Sequence, residues 1–229
     1  MGSTDIQRMK LAVAASFTAE PLLDSLAFWG EKIEWRPEIE FAAYNQVFQQ
    51  LLDPAGLFAR NRRGANILLV RPEDWVRYGQ EAGSAPNAAK LLATANEFVT
   101  AVRDAARRSS VPYLVLLCPS SPIKWNDSAL KQAEDHIVTS LQGAVGVHVF
   151  SSRELLAAYS SSNYYDADRD EMGHIPFTAD FFAAIVTVIA RRLNALQQPP
   201  YKVIAVDCDE TLWAGVCGEV GARGIEIDA

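Results

Sequence analysis

Cysteine is scarce in this sequence: 229 residues contain only Cys118, Cys208 and Cys217. Three scattered thiols cannot form a disulfide framework, so the core must stabilise the chain, and a reducing, cytoplasmic setting is expected. No apolar run is long enough to span a bilayer, which excludes a helical membrane anchor within these residues. The opening "MGSTDIQRMK" also lacks the apolar stretch of a signal peptide. Positive charge is not in surplus: 21 Lys and Arg against 28 Asp and Glu leave a net charge of -7, which argues against nucleic acid as the main partner. The small basic cluster "ARNRRG" (Arg60, Arg62, Arg63) reads as a solvated loop. What is present is an apolar share of 49% and a charged share of 21%, ordinary for a globular protein that buries a core without staples.

Apolar runs of strand length alternate with helix-period segments. "KLAVAASF" predicts a strand and "EPLLDSLAFWGEKI" an amphipathic helix; "WRPEIEFA" is a weaker strand that Pro37 demotes to a sheet edge. A short helix at "NQVFQQLL" precedes the buried strand "ANILLV" and a helical turn from Pro72. After the Gly- and Pro-containing loop "YGQEAGSAPN", a long helix is predicted over Ala88–Arg108. "VPYLVLLCP" follows as a central strand, then a helix over Ser128–Leu141, a strand at "VGVHVF" and a helix at "SRELLAAY". A polar loop, "SSSNYYDADRDEMGHIPF", leads into a helix capped by Thr178, with Phe181, Phe182, Ile185, Val188 and Ile189 at core spacing. "LQQPP" then interrupts, and a fresh strand is expected from Lys202. The alternation predicts a three-layer α/β/α domain with a parallel sheet over residues 1–199. The opening of a second domain would occupy residues 200–229, with the boundary at residues 197–200.

The terminal stretch "VIAVDCDETLW" carries the densest chemistry. It is an apolar strand running into D-x-D-x-T, and the carboxyl end of a strand is where α/β proteins place ligands. Asp207, first after the strand, suits nucleophilic attack on phosphorus. Asp209, two residues on, suits proton transfer to and from the leaving group. Mg²⁺ held by Asp207 and Asp209 would neutralise the charge gathered between carboxylates and phosphate.

Here the sequence resembles the haloacid-dehalogenase-type phosphotransferases, specifically the FkbH-like branch. "YNQVFQQLLDP" and "YYDADRDEMGHIPFTADFFAA" are similar to that branch as well, so the likeness spans nearly the whole chain. It implies an N-terminal domain of SGNH-hydrolase or flavodoxin type joined to a Rossmann-like phosphatase domain, of which this chain holds the first strand and loop. It also implies an enzyme that takes 1,3-bisphosphoglycerate, removes phosphate and loads a glyceryl group onto an acyl carrier protein for polyketide assembly. In this sequence Asp207 and Asp209 match the acid pair, Thr211 the motif threonine, and Cys208 the thiol that carries the acyl group in loading members. Cys217 is expected to pack, and Glu210 stands where Asn is common. The family's later motifs are missing, so the chain is expected to be part of a longer enzyme and inactive as a phosphatase by itself.

Two further readings concern the N-terminal domain. An SGNH-type acyl hydrolase would use Ser16, after the first strand, with His174 in a late loop, but "ASFTAE" lacks the G-D-S signature, Asp170 lacks the usual two-residue gap before His174, and Glu171 has the gap but is the wrong acid. Alternatively, the crevice near Ser16, Asn45 and His174 is without chemistry and docks the carrier protein, or positions its pantetheine arm or the glyceryl substrate. His136, His148 and the tryptophans Trp29, Trp35, Trp75 and Trp125 read as structural.

Overall fold

A computed structural model of the protein describes residues 8–32, 36–77, 88–159, 163–198, 203, 205–221 and 224. The loop expected at "YGQEAGSAPN" and Trp35 lie outside these residues. The chain divides into two compact units, Met1–Leu193 and Asn194–Ala229.

The first unit is built on five parallel strands in the order β2-β1-β3-β4-β5. They are β1 (Arg8–Ala15), β2 (Arg36–Phe41), β3 (Gly64–Val70), β4 (Tyr113–Leu117) and β5 (Val147–Phe150). The three inner strands carry the continuous apolar runs "KLAVAA", "ILLV" and "YLVLL", as burial on both faces requires. Pro37 lies in β2, at the sheet edge, where a missing N–H costs no ladder bond on the open side.

Alternate residues of each inner strand feed two cores. Leu11, Val13, Ile67, Leu69, Leu114 and Leu116 face α1 (Leu22–Lys32), α6 (Ser152–Ala158) and α8 (Ala179–Gln197). Ala12, Ala14, Leu68, Val70, Val115 and Leu117 face α2 (Val47–Leu52), α3 (Leu57–Arg60), α4 (Ala88–Arg108) and α5 (Ser128–Leu141). The result is the expected α/β/α sandwich. A 3₁₀ turn at Pro72–Val76 follows β3, and α7 (Ala167–Gly173) precedes α8.

Local chemistry sets several helix ends. Asp127 caps α5 by accepting from the amides of Ala129 and Leu130. Ser151 and Glu154 form a reciprocal capping box at α6. Thr178 caps α8 through a 3.4 Å contact from the Phe181 amide to its Oγ1.

Two expectations are revised. The polar stretch before α8 is not all loop, because residues 167–173 form α7. The strand expected from Lys202 is not formed among the described residues: Lys202 and Ile204 lie outside them, and Val203 and Ala205 to Cys208 join no ladder. An extended apolar segment becomes a strand only when a neighbour accepts its backbone hydrogen bonds.

On the edge strand β5, His148 Nδ1 lies 2.7 Å from Arg192 Nη2 of α8. The guanidinium can only donate, so the imidazole must be neutral and accept. Burial and then the Arg192 charge hold the His148 pKa below its ordinary value. The native state therefore binds fewer protons than the unfolded chain in the window just below about pH 6.5, and this contribution to stability is lost as pH falls through it. Urea midpoints measured at about pH 7.5 and 5.5 are expected to show a larger acid loss for the unsubstituted protein than for His148→Gln, which keeps an acceptor but cannot titrate. Equal losses would show that the pair is not the source.

Candidate functional site

The strand order reverses between β1 and β3, and the crevice outside the carboxyl ends of these strands is where folds of this type bind ligands. Ser16 follows β1 directly and Arg71 follows β3, so both enter this crevice. Ser16 is 1% exposed, and its backbone amide donates to Leu69 O of the neighbouring strand. Its hydroxyl donates to Asp74 Oδ2 at 2.7 Å and accepts from the Arg71 amide at 2.9 Å.

An ion network fills the crevice. Arg71, also 1% exposed, donates from Nε and Nη2 to Asp74 Oδ1 at 2.9 and 2.6 Å. Its Nη1 and Nη2 reach Asp170 Oδ2 and Oδ1 at 2.8 and 3.1 Å, bridging 99 residues of chain. Arg77 adds bonds from Nη1 to Asp170 Oδ1 at 2.7 Å and from Nη2 to Asp170 O at 2.9 Å. The Tyr165 hydroxyl donates to Asp170 Oδ2 at 2.9 Å. Two guanidinium and two carboxylate groups thus balance.

Burial pushes Asp170 upward, but the bonds and charge of Arg71, followed by Arg77 and Tyr165, outweigh it and hold the carboxyl below its usual range. Asp74 lies deeper, and burial wins there: its carboxyl is pushed up against the opposing pull of Arg71 and Ser16. Burial and the bond to Asp170 raise the Tyr165 phenol to about 12, so it remains a donor.

His174 reaches the same end of the sheet, and its backbone carbonyl accepts from the Thr18 amide at 2.8 Å. Its ring stacks on Tyr44, with centroids 5.0 Å apart and planes inclined by 18°. It ends α7 in the left-handed region at φ 53°, and Asn45, exposed in the turn before α2, takes φ 55°. The bonds of the Ser16 hydroxyl go to Asp74 and Arg71, so the serine is joined to a carboxylate and not to the histidine. Among the described residues, the groups that fill the crevice are Arg71, Asp74, Arg77 and Asp170. Of these, chain order alone points only to Asp170, as an acid close before His174. The available signal was a charged "RPEDW" immediately after the apolar run of β3.

In the second unit, Asp207, Cys208 and Thr211 are exposed and Asp209 is half-buried. Asp209 Oδ1 accepts from Trp213 Nε1 at 3.0 Å and from the Cys217 amide at 3.1 Å. The Cys208 carbonyl accepts from the Leu212 amide at 2.9 Å, and α9 (Cys217–Val220) closes the segment. The second motif carboxylate therefore organises its own loop. Glu210 stands at φ 55°, a region that Asn enters more readily, and its Oε1 accepts from the Gly215 amide at 2.9 Å. Asp207 and Asp209 offer hard oxygen donors of the type Mg²⁺ prefers. Among the described residues no three His, Cys, Asp or Glu side chains converge on a metal site.

The architecture is the three-layer, parallel-sheet fold of SGNH or flavodoxin type. No protein-family model matches the chain, and no curated protein matches it. Solved structures do. The N-terminal part of the protein BF1531 from Bacteroides fragilis, described as containing a phosphatase domain complexed with Mg, superposes with a TM-score of 0.68 at 16% identity. The match covers 100% of this chain and 63% of that one, so this chain spans less than two thirds of that protein's crystallised part. A lipase from a goat rumen metagenome superposes with a TM-score of 0.53 at 12% identity, over 83% of this chain and 98% of the lipase. At these identities the likenesses establish a common fold. No described helix is long and apolar enough to cross a membrane.

Proposed function

We propose that this chain is part of a glyceryl transferase/phosphatase that dephosphorylates 1,3-bisphosphoglycerate and loads the glyceryl group onto an acyl carrier protein in polyketide biosynthesis. The observation that carries the reading is the exposed Cys208 between Asp207 and Asp209, at the head of a turn tied down by Asp209 itself. The likeness of fold to a protein containing an Mg-complexed phosphatase domain supports it.

In this scheme Asp207 and Asp209 would hold Mg²⁺, which would neutralise phosphate charge. The Cys208 sulfur attacks the acyl carbon, a C–S bond forms, and the C–O bond to phosphate breaks with its electron pair leaving on phosphate. The pantetheine thiol of the carrier then attacks the thioester and releases Cys208. Phosphate removal elsewhere on the substrate falls to Asp207 as nucleophile and Asp209 as acid and base.

The first unit then serves as a carrier-docking module without chemistry of its own. The filled crevice favours that role over acyl hydrolysis, because Ser16 is buried and its hydroxyl is already engaged.

In the full-length protein, Mg²⁺ and 1,3-bisphosphoglycerate are expected to leave a glyceryl adduct on the Cys208 peptide, transferable to a carrier protein. Cys208→Ser should abolish transfer, while Cys217→Ser should leave it near normal. A label on Cys217 or Ser16, or undiminished loading by Cys208→Ser, would overturn the relay. A serine-reactive phosphonate is expected to leave Ser16 unlabelled, and labelling there would restore the hydrolase reading.

A further inference from the structure

With the switch-point crevice filled, a neighbouring cavity offers room for a ligand. It has a volume of about 180 Å³ and lies between α5, the start of α6 and the loop that follows β4. It therefore opens beyond the carboxyl ends of β4 and β5, the end of the sheet where α/β folds bind ligands.

Its walls are held in place from three directions. Glu73, in the 3₁₀ turn after β3, accepts from the Ser121 amide and hydroxyl at 2.7 and 2.9 Å, which fixes the loop carrying Trp125. The Tyr164 hydroxyl donates to Ser120 O at 2.8 Å. Glu134 of α5 accepts from the Ser152 amide at 2.7 Å and from its hydroxyl at 2.8 Å, which fixes the first turn of α6. Such support is what a ligand site needs and a chance gap lacks.

The charges in the lining divide into two sets. Arg153 and Asp135 pair with each other, so they offer little to a guest. Lys131 and Glu134 remain. Among the described residues Glu134 is held by the neutral donors of Ser152, and Lys131 bonds the neutral Asn126 Oδ1 at 3.1 Å. The two are three residues apart on α5, yet they form no ion pair with each other or with any other described residue. One carboxylate and one ammonium thus line the same cavity without a direct ion pair, Glu134 feeling the Arg153 charge only at longer range, beside the apolar surfaces of Trp125 and Leu130.

We propose that this cavity binds a small zwitterion, a free α-amino acid, with its ammonium on Glu134, its carboxylate at Lys131 and its side chain against Trp125 and Leu130. The cavity is below the ~300–1,000 Å³ of common ligand pockets, which suits one amino acid and not a nucleotide or coenzyme. Burial also pushes the Glu134 carboxyl upward, and an arriving ammonium would relieve that cost.

The site is independent of the chemistry proposed for Cys208. The test is titration calorimetry of this chain with L-leucine, L-leucine methyl ester and N-acetyl-L-leucine. The free amino acid is expected to bind roughly tenfold or more tightly than either blocked form. Glu134→Gln, which keeps an acceptor for Ser152, should weaken leucine and the ester about tenfold and leave N-acetyl-leucine unchanged. Lys131→Met, an exposed substitution, should weaken leucine and N-acetyl-leucine and spare the ester. Unchanged melting temperatures will confirm that both variants are folded. No saturable heat with leucine, equal affinity for all three compounds, or indifference of leucine to both substitutions would overturn the proposal.

Discussion

Replacing Arg71 with alanine is expected to destabilise the first unit by about 3–5 kcal/mol, the cost of stranding buried charges when one partner of an ion pair is removed. Arg71 bridges Asp74 and Asp170, which lie on segments far apart in sequence, and all three are almost completely buried. Its loss leaves Asp74 with Ser16 as donor and Asp170 with Arg77 and Tyr165. The pH dependence provides a second readout. Without Arg71 the Asp74 carboxyl, already pushed up by burial, loses the partner that opposes that push and binds protons more tightly still, so the variant gains stability relative to the unsubstituted protein as pH falls. In the unsubstituted protein the depressed Asp170 pKa has the opposite sign: its contribution is present above the unfolded value near 3.8 and is lost below it. The deficit of Arg71→Ala, followed by urea unfolding, should therefore shrink between about pH 7 and pH 5. A deficit under about 1 kcal/mol would place the network among weakly contributing surface pairs.

The architecture was largely legible because its signals are local. β1, β3 and β4 declare themselves as apolar runs, α4 and α5 fall on the expected residues, and Pro37 marks an edge strand. α7 was not legible because Asp170 is its one buried residue. A helix that turns a carboxylate inward shows no apolar stripe, and its inward face is stabilised by arginines about a hundred residues away. The same distance hid the filled crevice: Arg71 and Asp74 look like ordinary loop charges until the fold brings Asp170 and Ser16 to them. Ser16 and His174 could be placed at the right end of the sheet by chain order. Which group the serine hydroxyl would bond depended on side-chain packing that chain order does not encode. In the second unit, the D-x-D-x-T pattern could be read from type and spacing, whereas the anchoring of Asp209 to the Cys217 amide required the turn at Cys208 to be seen in space.

Gly64→Ala is expected to be similarly severe, for a purely steric reason. Gly64 opens β3 opposite Lys10 of β1, with φ at +93°, in a region that L side chains rarely adopt. A Cβ there would lie 2.2 Å from Lys10 O, 2.6 Å from Met9 Cγ and 2.8 Å from Lys10 N. Two of these atoms are backbone and cannot swing aside, so β1 and β3 must separate where the two inner strands first pair. Strain and overpacking together should cost about 2–5 kcal/mol. Gly143 supplies the control: its φ is +75°, but a Cβ there meets nothing within 4 Å. Gly143→Ala should show the conformational cost alone, about 1–2 kcal/mol. Chemical denaturation of the two variants side by side isolates the clash as their difference. Amide exchange should accelerate along β1 and β3 in Gly64→Ala and stay unchanged there in Gly143→Ala. Equal losses of stability would mean that the close approach of Gly64 to Lys10 does not constrain the sheet.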